Sequence, residues 1–212
     1  MLPRLLVIAK APAPGHSKTR LCPPCTPEQA AELAEAALVD TLNAVLATEC
    51  GGRTLVLDGE PGDWLPAGFD VFPQVEGAFG ERLAGAFSHY DGPTLLIGMD
   101  TPQVDPLILK AAMSQLSDGG NDAVLGMCPD GGYWTIGMNR PHAGAFDDVP
   151  MSSRLTGEFQ LTRLREIGMS VGLLPELRDV DFFEDARAVS GALHGGRFAE
   201  TFKRMEANLC PS

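Results

Sequence analysis

Leu5-Leu6-Val7-Ile8-Ala9, then Lys10-Ala11-Pro12-Ala13-Pro14-Gly15-His16-Ser17-Lys18-Thr19-Arg20, then Thr26-Pro27-Glu28-Gln29: these three stretches decide the fold class. An unbroken apolar run with branched side chains is the pattern of a buried strand. The loop from Lys10 to Cys25 holds four prolines as well as Gly15, a composition that marks a stiffened turn region. Thr26 is placed to cap a helix, with Pro27 at the first helical position and Glu28 and Gln29 in the first turn. The Ala-rich segment beyond it carries Leu33, Ala37, Val39, Leu42 and Leu46 as an apolar stripe. It predicts a helix running to about Glu49, stopped by Gly51-Gly52. Strand, loop and helix together form the first unit of an α/β fold with a mainly parallel sheet.

The rest of the chain repeats this alternation. Strands are predicted at Thr54–Leu57, Asp70–Phe72, Pro93–Gly98, Ala123–Gly126, Tyr133–Gly137 and Ser170–Leu174, with Asp179-Val180-Asp181 in extended backbone after the last of them. Helices are predicted at Gly80–Ser88, Pro106–Leu116, Gly157–Ile167 and Glu184–Asn208, the last in two pieces broken at Gly195-Gly196. With no internal repeat or low-complexity linker, residues 1–212 are expected to form a single domain, a length that buries a sizeable core.

Acidic residues number 28 against 16 basic ones, a net charge of -12 whose average field repels nucleic acid and anionic lipid. A bound nucleotide must therefore be met by a local cluster of cations. No apolar run reaches the ~20 residues of a membrane span, and the N-terminus lacks a signal-peptide pattern, so the expectation is a cytoplasmic protein without membrane insertion. The five cysteines form no regular framework, and Cys22-Pro23-Pro24-Cys25 has no second pair at zinc-ligand spacing; ordinary thiols are expected.

Between the first strand and the first helix, Lys10, Lys18 and Arg20 supply fixed cations where backbone N–H groups and a helix dipole favour phosphate. Gly15 and Thr19 belong to the same loop. The P-loop spacing G-x-x-x-x-G-K-[ST] is absent, since no glycine stands at position 10. Gly98-Met99-Asp100-Thr101-Pro102 places Asp100 at a strand's carboxyl end, the edge where ligands collect in open α/β sheets. Its carboxylate suits Mg²⁺ or Mn²⁺, which reach substrate phosphates through one or two carboxylates. Asp179 and Asp181, two apart in extended backbone, point to the same side. Asp130-Gly131-Gly132-Tyr133 is a turn that lets backbone approach a ligand, and Gln74, Gly80 and Arg82 stand at a helix entry. No G-x-S-x-G elbow and no histidine cluster appears. The chemistry implied is positioning and charge neutralisation at phosphate.

Taken in order, these motifs resemble the bacterial GT-A-fold transferases once grouped as a domain of unknown function (DUF2064-like), related to phospholactate guanylyltransferase-type nucleotidyltransferases. The likeness rests on Ala9 to Leu21, on Gln74, Gly77 and Gly80-Glu81-Arg82, on Gly98, Asp100 and Pro102, on Asp130 to Tyr133, and on Asp179-Val180-Asp181 with Asp185. It implies a Rossmann-like nucleotide-diphospho-sugar transferase fold, with a central mainly parallel mixed sheet and helices on both faces. It also implies a nucleotide over the first loop, held by Lys10, Gly15, Lys18, Thr19, Arg20, Gln74, Gly80 and Arg82. A Mg²⁺ or Mn²⁺ site at Asp100, completed by Asp179 and Asp181, belongs to the same expectation. Lys18, Arg20 and Asp100 are the expected catalytic groups, and Asp130, Gly131, Gly132 and Tyr133 the acceptor side. The expected activity is glycosyl transfer from a nucleotide-diphospho-sugar to an unidentified acceptor. Nucleotidyl transfer from a nucleoside triphosphate with pyrophosphate release is the alternative, and a non-catalytic nucleotide-binding module the second. His16, Met151 and Phe182-Phe183 depart from residues common in the family, which touches the phosphate loop and the acceptor pocket.

Overall fold

The computed structural model describes residues 2–117 and 120–209, so that Cys210 lies outside the described residues. In chain order the elements are β1 (Arg4–Lys10), α1 (Pro27–Leu46), β2 (Arg53–Asp58), β3 (Asp70–Pro73), α2 (Phe79–Phe87) and β4 (Thr94–Gly98). They continue with α3 (Pro106–Ser117), β5 (Ala123–Met127), β6 (Tyr133–Met138), α4 (Thr156–Glu166), β7 (Val171–Leu174), α5 (Phe183–Ala192) and α6 (Arg197–Leu209). The strands form a seven-stranded sheet in the order β3-β2-β1-β4-β6-β5-β7. Every neighbouring pair is parallel except the two that involve β6, which runs antiparallel to both β4 and β5. The mainly parallel sheet read from the alternation, mixed as the family resemblance implies, is the sheet observed. No helix among the described residues is long and apolar enough to cross a membrane.

Alternate residues of β1 feed opposite faces. Leu5 and Val7 pack with Leu38, Leu42 and Val45 of α1 and Leu109, Met113 and Leu116 of α3. Leu6 and Ile8 pack with Leu83 and Phe87 of α2 and Leu164 of α4. A third apolar cluster lies beyond α1, where Ala30, Leu33 and Ala37 meet Val180, Phe183, Phe198 and Phe202. Helix α1 is thus covered on two sides. The single stripe expected from its sequence was too simple: Val39 and Leu46 are only half-buried, while Ala30, Ala31, Ala34 and Ala36 are buried. Alanine suits this position because it is the best helix former and lets layers approach closely. Asp40 of α1 ties the outer layer down, accepting from the backbone N–H groups of Arg197 (3.0 Å) and Phe198 (2.8 Å) as the cap of α6.

Helix α1 ends at Leu46 rather than near Glu49 because its last carbonyls are taken up by β2. Arg53 donates to the carbonyl oxygens of Val45 (3.1 Å), Leu46 (3.2 Å) and Thr48 (2.8 Å). The carboxyl ends of β1 and β4 lie side by side, with Ile8 opposite Gly98. Because β6 is reversed, its amino end and the turn before it come to that same edge.

Candidate functional site

The loop after β1 is folded on itself before it reaches the sheet edge. His16 and Ser17 donate their N–H groups to the Ala13 carbonyl (3.1 and 3.0 Å), and the buried Ser17 hydroxyl accepts from Ala13 N (3.0 Å). Gly15 has φ +73°, which glycine adopts without penalty. Lys18 is also left-handed (φ 48°, ψ 42°), a conformation that costs a non-glycine residue about 1–2 kcal/mol. Thr19–Leu21 then makes a single 3-10 turn, with Leu21 buried in the third cluster.

This geometry aims Lys18 at the end of β4. Its Nζ donates to Asp100 Oδ2 at 2.7 Å and to Asp181 Oδ1 at 2.8 Å, and Arg20 Nη1 donates to Asp181 Oδ2 at 2.8 Å. The Lys18 side chain is 13% exposed and that of Arg20 62%. Breaking the first pair leaves buried charge uncompensated, whereas the second is screened by water. Burial alone would lower the Lys18 ammonium, but Asp100 and Asp181 outweigh it and hold the group above its usual value. Burial likewise opposes ionisation of Asp181, and Lys18 and Arg20 overcome it, holding that carboxyl below the ordinary range.

Asp100, Asp179 and Asp181 each place a carboxylate oxygen within 4.8 Å of the others. Between the last two, Val180 is buried in the third cluster and its N–H donates to the Asp100 carbonyl at 2.9 Å. One apolar anchor and one backbone hydrogen bond therefore hold both neighbouring carboxylates beside Asp100, Asp181 at the cleft wall and Asp179 behind it. The segment does this as irregular backbone, since β7 ends at Leu174. Asp179 is pushed up to about 7 by burial, then by the negative charge of Asp100, Asp130 and Asp181. The cluster holds more negative charge than Lys18 balances, and its donors are hard oxygens. Both properties fit Mg²⁺ or Mn²⁺. A second group, Cys128 with Asp130 and Asp179, shares Asp179. Burial and the neighbouring carboxylates push the Cys128 thiol up, and a soft sulfur suits Mg²⁺ or Mn²⁺ less well than the oxygens of the first group. Cys22, Cys25 and Cys50 are also free thiols, with Cys25 packed in the third cluster.

The cleft has a volume of about 270 Å³ and joins Lys10, Lys18, Thr19 and Arg20 to Asp100 and Asp181. His16, Ser17 and Met99 complete its wall, three residues not singled out from the sequence as ligand contacts; only their position inside the two motifs could have signalled them. The amino end of α1 is not part of the cleft wall. A capping box closes that helix, with Gln29 N donating to Thr26 Oγ1 (3.3 Å) and Thr26 N donating to Gln29 Oε1 (2.8 Å). Positive charge in the cleft comes from side chains.

Gln74, Gly80 and Arg82 stand outside the cleft wall. Gln74 Nε2 donates to the carbonyls of Ala9 (2.7 Å) and Val56 (3.2 Å), and its Oε1 accepts from Arg82 at 3.2 Å. These bonds brace the ends of β1 and β2 beside Lys10. Gly80 packs α2 near Phe146 and Met151. Asp130 accepts from Gly132 N at 2.7 Å, and Gly131 has φ +93°, where an added Cβ would run into the Arg154 carbonyl. Tyr133 lies on the second face, packed among α2 and α4 residues, and its hydroxyl meets Gln160 Oε1 at 3.2 Å. The turn thus reaches Asp179 through Asp130 while its tyrosine turns away from Lys18.

Residues 32–153, more than half of the chain, match the family described as "Uncharacterized protein conserved in bacteria (DUF2064)". That stretch includes Gln74, Gly80, Arg82, Asp100 and Asp130 to Tyr133, but neither the Lys10–Arg20 loop nor Asp179 and Asp181. No curated protein matches. Among solved structures, a protein of Desulfovibrio desulfuricans G20 provisionally assigned as a nucleotide-diphospho-sugar transferase superposes with TM-score 0.86 at 23% identity, over 98% of this chain and 96% of its own. A cytidylyltransferase from Leptospira borgpetersenii serovar Hardjo-bovis gives 0.56 at 15% identity, over 98% and 95%. Rv0371c from Mycobacterium tuberculosis H37Rv, in complex with manganese, gives 0.51 at 20% identity, over 89% and 98%. At these identities the three share the fold with this chain.

Proposed function

The chain belongs to the DUF2064 family, and from that premise we propose that it is a metal-dependent transferase acting on a nucleotide-activated donor, a nucleotide-diphospho-sugar in the first instance. The observation that carries the reading is the meeting of Lys18 with Asp100 and Asp181 in a cleft also lined by Lys10 and Arg20. Cations alone would make an anion site. Cations interleaved with three clustered carboxylates match a polyphosphate that arrives with a divalent ion. Three proteins of the same fold support a nucleotide substrate and a divalent ion: one provisionally assigned as a nucleotide-diphospho-sugar transferase, one in complex with manganese, and a cytidylyltransferase, which leans to nucleotidyl transfer.

In this mechanism Lys10, Lys18 and Arg20 bind the donor's phosphates, with Thr19 and the backbone at Gly15 beside them. Gln74 and Arg82 hold the ends of β1 and β2 in register beneath the nucleotide. The bond from the sugar's anomeric carbon to the distal phosphate oxygen breaks, the acceptor's nucleophilic atom bonds to that carbon and gives up its proton to solvent water, and the nucleoside diphosphate departs with the bonding electron pair. Lysine and arginine stabilise the charge that gathers on the departing oxygen. A Mg²⁺ or Mn²⁺ held by Asp100, Asp179 and Asp181 would supply further charge neutralisation at the diphosphate. Asp130, Gly131 and Gly132, next to Asp179, border the acceptor side.

One observation favours a second reading. Three fixed cations line one small cleft, more than a diphosphate requires, and suit attack on the α-phosphate of a nucleoside triphosphate with loss of pyrophosphate. Incubation with panels of nucleotide sugars and nucleoside triphosphates in Mg²⁺ or Mn²⁺, followed by phosphorus NMR, separates the two. Nucleoside diphosphate release is the expected result, and pyrophosphate release replaces it with the second reading. Calorimetry showing nucleotide binding indifferent to EDTA and to Asp100→Ala would remove the metal from both.

A further inference from the structure

We propose that Lys18 is a built-in placeholder for the divalent cation, so that metal binding requires its ammonium to be displaced from Asp100 and Asp181. The inference rests on the assignment of those carboxylates as cation ligands and adds a competition that the assignment does not contain. The Lys18 ammonium touches one oxygen of each carboxylate, at 2.7 and 2.8 Å, from a side chain that is 13% exposed. A divalent cation taking those same two oxygens would stand against the ammonium, and like charges at contact distance in a half-buried site repel strongly. The two occupants are therefore exclusive at Asp100 Oδ2 and Asp181 Oδ1.

Lys18 is set apart from the other cations of the cleft. Arg20 approaches Asp181 from the solvent side through its other oxygen, and Lys10 has no ion pair among the described residues. Among the described residues Lys18 alone pairs with both Asp100, two residues past the end of β4, and Asp181 of the 179–181 connection, and it does so from a left-handed backbone that fixes its direction. A displaced ammonium remains tethered at the cleft wall, in reach of a phosphate. Nucleotide and metal binding are then coupled: the anion that receives Lys18 frees the carboxylates for the cation, and by reciprocity the cation strengthens the anion's binding.

The test is Mn²⁺ alone, titrated into the full chain and followed by the electron paramagnetic resonance of free Mn²⁺, for wild type, Lys18→Met and Lys10→Met. Lys18→Met should bind Mn²⁺ at least about tenfold more tightly than wild type, and Lys10→Met should gain less than about twofold, because it removes a nearby charge without vacating the carboxylates. Lys18→Gln, which keeps a donor for both carboxylates, takes the place of Lys18→Met should the latter not fold by circular dichroism. Equal affinity in wild type and the Lys18 variants, or equal gains at Lys10 and Lys18, overturns the placeholder while leaving the transferase reading standing. Absence of Mn²⁺ binding in every variant overturns the placeholder together with the assignment of Asp100 and Asp181 as ligands of the free cation, and leaves nucleotide transfer to the donor-panel experiment.

Discussion

Lys18 and Arg20 donate to the same carboxylate, yet substitution should separate them. The Arg20 side chain is mostly in water, so Arg20→Met should shift stability in urea by less than about 1 kcal/mol. If Arg20 binds phosphate as proposed, calorimetry should find nucleotide binding weakened about tenfold, a change typical of one charged hydrogen bond. Stability loss without weaker binding would make Arg20 a structural residue. At the other side of the cluster, Asp100→Asn should lower Mn²⁺ affinity by at least about tenfold, read from the resonance of the free ion. Undiminished affinity would remove Asp100 from the metal site. Both residues stood out in the sequence because a cationic loop is conspicuous in an acidic chain and an aspartate ending an apolar strand must face an open edge. Ser17, Met99 and Cys128 gave no such signal, since their place depends on how loops fold back rather than on their own chemistry.

At the scale of elements, the order of strands and helices was legible in the chain, and most boundaries fall within a few residues. What the pattern could not carry was partnership across the sequence. The early end of α1 depends on Arg53, a residue of β2 that satisfies its carbonyls. Extended backbone at Asp179 to Asp181 was legible, but not its anchor, which is the Asp100 carbonyl and an apolar pocket made by helices from opposite ends of the chain. The edge of β7 has a similar long-range tie. Asp122 Oδ2 accepts from the Ser170 hydroxyl (2.6 Å) and from its N–H (2.9 Å), and these bonds hold the Asp122 carboxyl below its ordinary range. A depressed carboxyl contributes stability that is present above its unfolded value, near ~3.9, and lost as pH falls through its folded value. Because the Asp122 carboxylate is exposed and screened by water, Ser170→Ala should cost less than about 1 kcal/mol at pH 7, with the gap to wild type closing at pH below about 4. A gap independent of pH would show that the hydroxyl acts through packing alone.

For the whole molecule, the three stacked apolar clusters make the outer helices part of the site's support. Phe202 of α6 is 1% exposed and lies in the cluster that holds Val180. Phe202→Ala should destabilise the protein by about 3–5 kcal/mol in urea, and should weaken Mn²⁺ binding although the residue touches neither the cleft nor a carboxylate. Destabilisation with unchanged Mn²⁺ affinity would show that the outer layer only thickens the core. Helix α1, covered on both sides, carries the last consequence. Its Ala34 and Ala37 stand directly behind Lys18, Asp100 and Val180, so two methyl groups act as shims that fix how far the outer layer sits from the sheet. A bulkier residue there would pry that layer outward and separate Asp181 from Asp100 before the chain lost its shape, which makes smallness on this helix a requirement of the chemistry rather than of folding.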